Sequence, residues 1–204
     1  MVKPGIMTLL LLKESADNSE DFSVATDDEL IARISLGDKT AFTGFLNRHL
    51  SAIVDFAGRY VGQKSDAEDI AQDTFLRVWH KASSWRSEGA SLRSWLYRIA
   101  YNLCIDNLRR RRYDMDIDEM ELQIDSHGPE ETVSNQAQSR RLVIALAALP
   151  ERQRTALTLC AYHGLSNKEA AVVMDINVEA LESLLSRARR KLRKSLILDT
   201  GGPS

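Results

Sequence analysis

The chain has 204 residues, with 27 lysines and arginines against 29 aspartates and glutamates, for a formal net charge of −2. That length suits one large domain or two small ones, and the near-neutral balance by itself argues neither for nor against a nucleic-acid partner. Two distant cysteines, Cys104 and Cys160, cannot form a disulfide framework and are expected to be buried thiols in a reducing compartment.

Residues 1–25 are polar and aperiodic and are expected to form a flexible tail, with Met7 as an alternative start. Leu9–Leu12 is too short to cross a bilayer and has no cleavage site after it, so the chain is expected in the cytoplasm with no membrane insertion. From Asp27 apolar residues recur at helical spacing. Leu30, Ile31 and Ile34 mark a first helix that stops at Gly37-Asp38. Phe42, Phe45, Leu46, His49, Ile53 and Phe56 mark a second, ending near Gly62. Ser65 and Glu68 read as a capping box opening a third helix, which carries Ile70, Phe75, Val78 and Trp79 and ends at Ser83-Ser84. A loop through Gly89 leads to a fourth helix from about Ser91 to Arg112.

Charge then changes character along the chain. Arg109 to Arg112 is an unbroken basic run, and every formally charged residue from Asp114 to Glu131 is acidic. Residues 113–134 contain Gly128-Pro129 and no strong periodicity, which predicts a flexible acidic linker between two domains. Beyond it come Leu142, Ala145, Leu146 and Leu149, then a helix from about Glu151 to Tyr162 that stops at Gly164. Ser166 and Glu169 form a second capping box for a short helix ending near Met174, and Asn177 caps a last helix reaching about Leu196. The fold class is therefore all-α. It comprises an N-terminal helical bundle over 26–112, a C-terminal domain over 135–197 with a helix-turn-helix at about 166–186, and a tail at 198–204.

Three surfaces carry chemistry. In the last helix Val178, Leu181, Leu185, Ala188 and Leu192 form one apolar stripe. Glu179, Glu182, Ser183, Ser186, Arg187, Arg189 and Arg190 fall elsewhere, as base- and phosphate-contacting residues of a recognition helix would. In the fourth helix Leu92, Trp95, Leu96, Ile99 and Leu103 share a side, and Ser94, Arg98, Asn102, Arg109 and Arg112 share another that suits DNA. Trp85 and Arg86 sit in the loop before it, where the indole either stacks on an unpaired base or packs into the core. In the third helix Asp66, Asp69, Asp73, Arg77 and His80 form a stripe with Gln72, Phe75 and Trp79 beside it. Such a stripe repels DNA and suits a basic protein surface. No nucleophile, histidine partner or phosphate-cradling glycine loop accompanies these carboxylates. The four histidines have no second ligand at metal spacing. The expectation is a protein without catalytic residues, metal or cofactor.

Taken together, the residues resemble the extracytoplasmic-function sigma factors of the sigma-70 family. Asp66–Trp79 resembles the segment that binds core RNA polymerase. Ser91–Asn102, Asp106 and the arginine run resemble the minus-ten and melting segment. Leu149–Arg154, Leu165–Ala171 and Leu184–Arg190 resemble the domain that binds the minus-thirty-five element. The similarity spans about residues 27–196. It implies a transcription initiation factor, not an enzyme, serving a stress response, whose partners are the beta-prime and beta subunits of core polymerase, promoter DNA and an anti-sigma factor. It implies core binding by Asp66, Asp69, Gln72, Asp73, Phe75, Arg77 and Trp79. Minus-ten binding and melting fall to Trp85, Arg86, Arg93, Arg98, Asn102, Arg109 and Arg112. Upstream recognition falls to Glu179, Glu182, Ser183, Ser186, Arg187 and Arg190. Leu184 departs from the pattern, since many relatives carry a basic residue there. Two other readings share parts of the pattern: a helix-turn-helix regulator that binds duplex DNA without polymerase, and a sigma-like decoy that binds only an anti-sigma protein.

Overall fold

A computed structural model describes residues 25–86, 91–114, 144–146 and 148–198, and every regular element among them is a helix. The chain divides into two compact units, residues 1–118 and 119–204. The expected tails, loop residues 87–90, linker residues 115–134 and Leu142 lie outside the described residues, apart from Ala25 and the backbone of Leu198.

In the first unit, α1 (Asp27–Ser35) opens on a capping box that the sequence reading missed. The Glu29 N–H donates to Thr26 Oγ1 at 3.2 Å and the Thr26 N–H donates to Glu29 Oε2 at 2.7 Å. The helix buries Leu30, Ile31 and Ile34. Its Asp27 accepts from Arg48 at 2.6 Å and meets His49 Nε2 at 2.9 Å, clamping α1 to the next helix. Burial pushes the Asp27 carboxyl up, but the His49 and Arg48 contacts outweigh it and leave the group below its ordinary value.

Helix α2 (Lys39–Val61) begins at Asp38, whose carboxylate accepts from the N–H groups of Thr40 (2.9 Å) and Ala41 (3.0 Å). It ends at Gly62, held at φ 73°, a left-handed conformation that a Cβ disfavours. The turn is short, and α3 (Lys64–Lys81) starts before the expected capping box. Gln63 occupies the cap position and makes no side-chain bond there, so Ser65 lies inside the first turn and caps nothing. A single 3₁₀ turn, Ala82–Ser84, follows, and then α4 (Leu92–Asp114). Ser91 opens α4 by accepting the Ser94 N–H at 3.1 Å. Aromatic contacts hold the bundle together. Phe45 meets Phe75 edge-on at 6.2 Å, Phe42 meets Trp79 at 5.1 Å, and Phe56 meets Tyr97 at 5.2 Å.

In the second unit, Ala145 and Leu149 are buried ahead of α5 (Glu151–Leu157). The expected single helix through Tyr162 instead widens into a π turn over Thr158–Tyr162. Its end is closed by the His163 N–H donating to the Thr158 carbonyl and the Leu165 N–H to that of Leu159, both at 3.0 Å, around Gly164 at φ 66°. The Ser166–Glu169 capping box is formed and starts α6 (Asn167–Met174). Asp175 turns the chain in the left-handed region at φ 54°. Asn177 Oδ1 then accepts the Ala180 N–H at 2.8 Å and starts α7 (Val178–Leu198). Leu181, Leu185 and Ala188 are buried, while Val178 and Leu192 are half-buried at the ends of the stripe.

Removing the α2 cap should be measurable. Asp38→Ala is expected to destabilise the protein by about 1 kcal/mol at neutral pH. Hydrogen bonds from Ala41 and Thr40, and the Arg33 ion pair, hold the Asp38 carboxyl below its ordinary value of 3.8. Its stabilising contribution is therefore present above that value and lost as pH falls through the folded-state value. Urea unfolding at pH 7 and at pH 3 should show the wild-type advantage shrinking at the lower pH.

Candidate functional site

The outer face of α3 departs from the even acidic stripe of the sequence reading. Asp66, half-buried, is held by Arg111 of α4, with Nη2 at 2.6 Å from Oδ2. The same guanidinium donates through Nη1 to the Val61 carbonyl at 3.0 Å. One arginine of the basic run thus ties the end of α2 and the start of α3 to α4. Asp73 and Arg77 are exposed, Asp69 and Trp79 are half-buried, and Trp79 leans edge-on against Phe42. Two expected docking residues belong to the interior. Phe75 is fully buried against Phe45, and Gln72 is 8% exposed. The aromatic residue at position 75 falls on the core face because α3 must cover the phenylalanines of α2, so it cannot itself be part of an exposed docking surface.

Trp85 follows the 3₁₀ turn and is half-buried, its ring 5.0 Å from that of Trp95 and tilted by 36°. The indole packs on α4 and keeps some exposure. Arg86 folds back, its Nη1 donating to the carbonyls of Ser83 (2.9 Å) and Trp85 (2.8 Å). On α4, Arg93, Arg98, Asn102 and Arg109 are exposed. The Arg93 guanidinium lies 5.9 Å from the Tyr97 ring centroid. Burial raises the Tyr97 phenol above its usual range, opposed by Arg93, so it stays neutral. Ser94 leaves the expected solvent stripe, being fully buried with its hydroxyl donating to the Ser91 carbonyl at 2.8 Å. The buried side of α4 is also wider than expected, taking in Tyr97 and Ala100, and Cys104 is buried as expected. The Arg112 side chain lies outside the described residues.

On α7, Glu179, Glu182, Ser186, Arg187 and Arg190 are exposed and Ser183 is half-buried, as the helical spacing predicts. A groove of about 580 Å³ runs along this helix from Glu182 through Ser186 to Arg189, Arg190 and Arg193, with Asn167 of α6 as its other wall. Asn167 and Arg193 were missed by the sequence reading. The 182, 186, 189, 193 spacing would have found the arginine, whereas Asn167 joins only through the fold. Burial raises the Cys104 thiol to about 12, while Cys160, expected to be buried, is only half-buried. Among the described residues no group of His, Cys, Asp or Glu could hold a metal ion, and no helix is long and apolar enough to cross a membrane.

Comparison with known proteins decides what these surfaces belong to. Residues 45–113 match the family described as Sigma-70 region 2, and residues 139–192 match Sigma-70, region 4. The chain is 33% identical over 174 residues to the RNA polymerase sigma factor NccH of Alcaligenes xylosoxydans xylosoxydans, covering 82% of this chain and 93% of that one. It is 32% identical over 178 residues to the ECF RNA polymerase sigma-E factor of Escherichia coli, covering 82% and 92%. The chain belongs to the sigma-70 family, in its extracytoplasmic-function group. Members of this family are transcription initiation factors. Two solved structures share the fold. One is CnrH in complex with the cytosolic domain of CnrY, with TM-score 0.63 and 28% identity, covering 86% of this chain and 99% of that one. The other is the sigma factor RpoE in complex with the anti-sigma factor NepR from Bartonella quintana, with TM-score 0.61 and 27% identity, covering 78% and 98%.

Within this sigma factor the Asp66–Arg111 pair is half-exposed, at 25% and 36% side-chain exposure, so solvent screens much of its attraction. A double-mutant cycle of Asp66→Ala and Arg111→Ala, read by urea unfolding, should give a coupling of about 0.5–1 kcal/mol. High salt should reduce it.

Proposed function

We propose that this sigma factor acts by recruitment and melting, with no covalent chemistry, as a cytoplasmic initiation factor of a stress response. Core polymerase docks on the exposed part of α3, through Asp69, Asp73, Arg77 and the accessible edge of Trp79. Asp66 and the buried Gln72 and Phe75 set the shape of that helix from behind. Promoter DNA meets α4 and the loop before it, through Arg86, Arg93, Arg98, Asn102, Arg109 and Arg112, with Trp85 beside the opened strand. The upstream element meets α7 at Glu179, Glu182, Ser183, Ser186, Arg187 and Arg190. The observation that carries this reading is the division of charge within one bundle, with exposed carboxylates on α3 and exposed arginines with Asn102 on α4. A surface built only for DNA has no use for the former. Once core polymerase holds one unit, the second DNA contact becomes effectively intramolecular, so modest separate affinities combine. One solved relative is bound to the anti-sigma factor NepR and another to the cytosolic domain of CnrY, which supports control by an anti-sigma factor.

Docking is tested by reversing charge at an exposed position. Asp73→Lys is expected to weaken binding to core polymerase at least severalfold, with helix content unchanged by circular dichroism. A folded variant that retains full affinity in a pull-down contradicts the assignment of α3.

Melting is tested at the loop. A flipped base costs a few kcal/mol to unstack, and stacking on an aromatic ring returns about 1–3 kcal/mol. Trp85→Ala is expected to spare core binding and duplex binding but to slow strand opening, read as permanganate reactivity of thymines near the start site. A template already mismatched across that region should restore much of the activity. Opening of duplex promoters at the wild-type rate would make Trp85 purely structural.

A further inference from the structure

Asn167, the first residue of α6, faces the early turns of α7 with its amide held at both ends. Cys160 Sγ lies 3.9 Å from Asn167 Oδ1, and Asn167 Nδ2 donates to Glu182 Oε1 at 3.3 Å. Burial holds the Cys160 thiol above its ordinary range, with Arg189 opposing, so at neutral pH it is an S–H donor. The amide orientation follows, with oxygen toward the thiol and nitrogen toward the carboxylate. Glu182 is otherwise exposed, and a free glutamate would sample several rotamers. The Asn167 contact selects among them before any ligand arrives.

The order of charge along the groove is the informative feature. Glu182 comes first, Ser186 one turn later, and Arg189, Arg190 and Arg193 beyond. Arginines suit phosphates, whereas a carboxylate repels them. A carboxylate in the early turns of a recognition helix gains affinity only opposite a hydrogen-bond donor on a base edge. In the major groove glutamate is matched to the cytosine N4 amino group. We propose that Glu182 reads a cytosine N4 amino group in the upstream promoter element, with Asn167 as the residue that positions it. This rests on the assignment of α7 as the recognition helix, and it adds the base that one position of that helix selects.

The test uses holoenzyme assembled from core polymerase and the full chain. A promoter library randomised across the upstream element is bound and the retained DNA sequenced. The wild type should prefer cytosine at one position by about tenfold. Glu182→Gln should shift that position toward adenine, because an amide presents the donor and acceptor that match adenine N7 and N6. Glu182→Ala should erase the preference there and leave the other positions unchanged. Asn167→Ala should weaken the preference at that same position alone, whereas a merely structural role would lower discrimination evenly across the element. A wild-type motif that survives unchanged in both Glu182 variants overturns the inference while leaving the recognition helix in place. A holoenzyme that opens the downstream region but enriches no upstream sequence overturns the recognition-helix reading and this inference together.

Discussion

Helix α2 buries an aromatic seam, and the outward surfaces of the first unit follow from it. Phe42, Phe45 and Phe56 are almost fully buried, and each needs a partner ring or aliphatic group from a neighbouring helix. Trp79 and Phe75 of α3 and Tyr97 of α4 supply them. Once those residues face inward, the 3.6-residue period leaves little choice about what faces out. Asp73 and Arg77 are presented on α3, and Arg98 and Asn102 on α4. The second unit obeys the same constraint on a smaller scale, where Leu181, Leu185 and Ala188 fix the rotation of α7 and so present Glu182, Ser186 and Arg190.

This arrangement separates the two proposed jobs by charge without separating them in the fold. Exposed carboxylates on α3 and exposed arginines on α4 belong to helices that pack on each other. At the half-buried Asp66–Arg111 pair an acidic residue of α3 and a basic residue of α4 neutralise each other. Net charge hides the division because the acidic and basic stretches nearly cancel. Local fields, and the surfaces they favour, depend on distribution instead.

Much of this was legible in the sequence because it is local. Helix order, the stop at Gly62, the caps at Ser166 and Asn177 and the exposed face of α7 all follow from periodicity and short-range hydrogen bonding. Local signals failed where two of them competed. Ser65 and Glu68 have capping-box spacing, yet the short turn after Gly62 starts α3 earlier. Thr26 and Glu29 have the same spacing and do form the box. Phe75 was placed on the docking face by motif resemblance, while packing against Phe45 takes it into the core. Ser94 has a polar name and a position that, in the folded α4, lies fully buried. The long-range pairs were not legible at all. Arg111 with Asp66, Arg48 and His49 with Asp27, and Asn167 with Glu182 join residues 15 or more positions apart, and only the packed helices bring them together.

The central claim is that binding to core polymerase converts two separate DNA-reading units into one promoter-specific initiator. In vitro transcription with purified core polymerase on genomic DNA, with and without this chain, tests it most directly when start sites are mapped. The account predicts a small set of discrete start sites that appear only when both are present, sharing one upstream and one downstream sequence element. Specific duplex binding of undiminished strength without polymerase, accompanied by no new start sites, would contradict it and make the chain a conventional helix-turn-helix regulator.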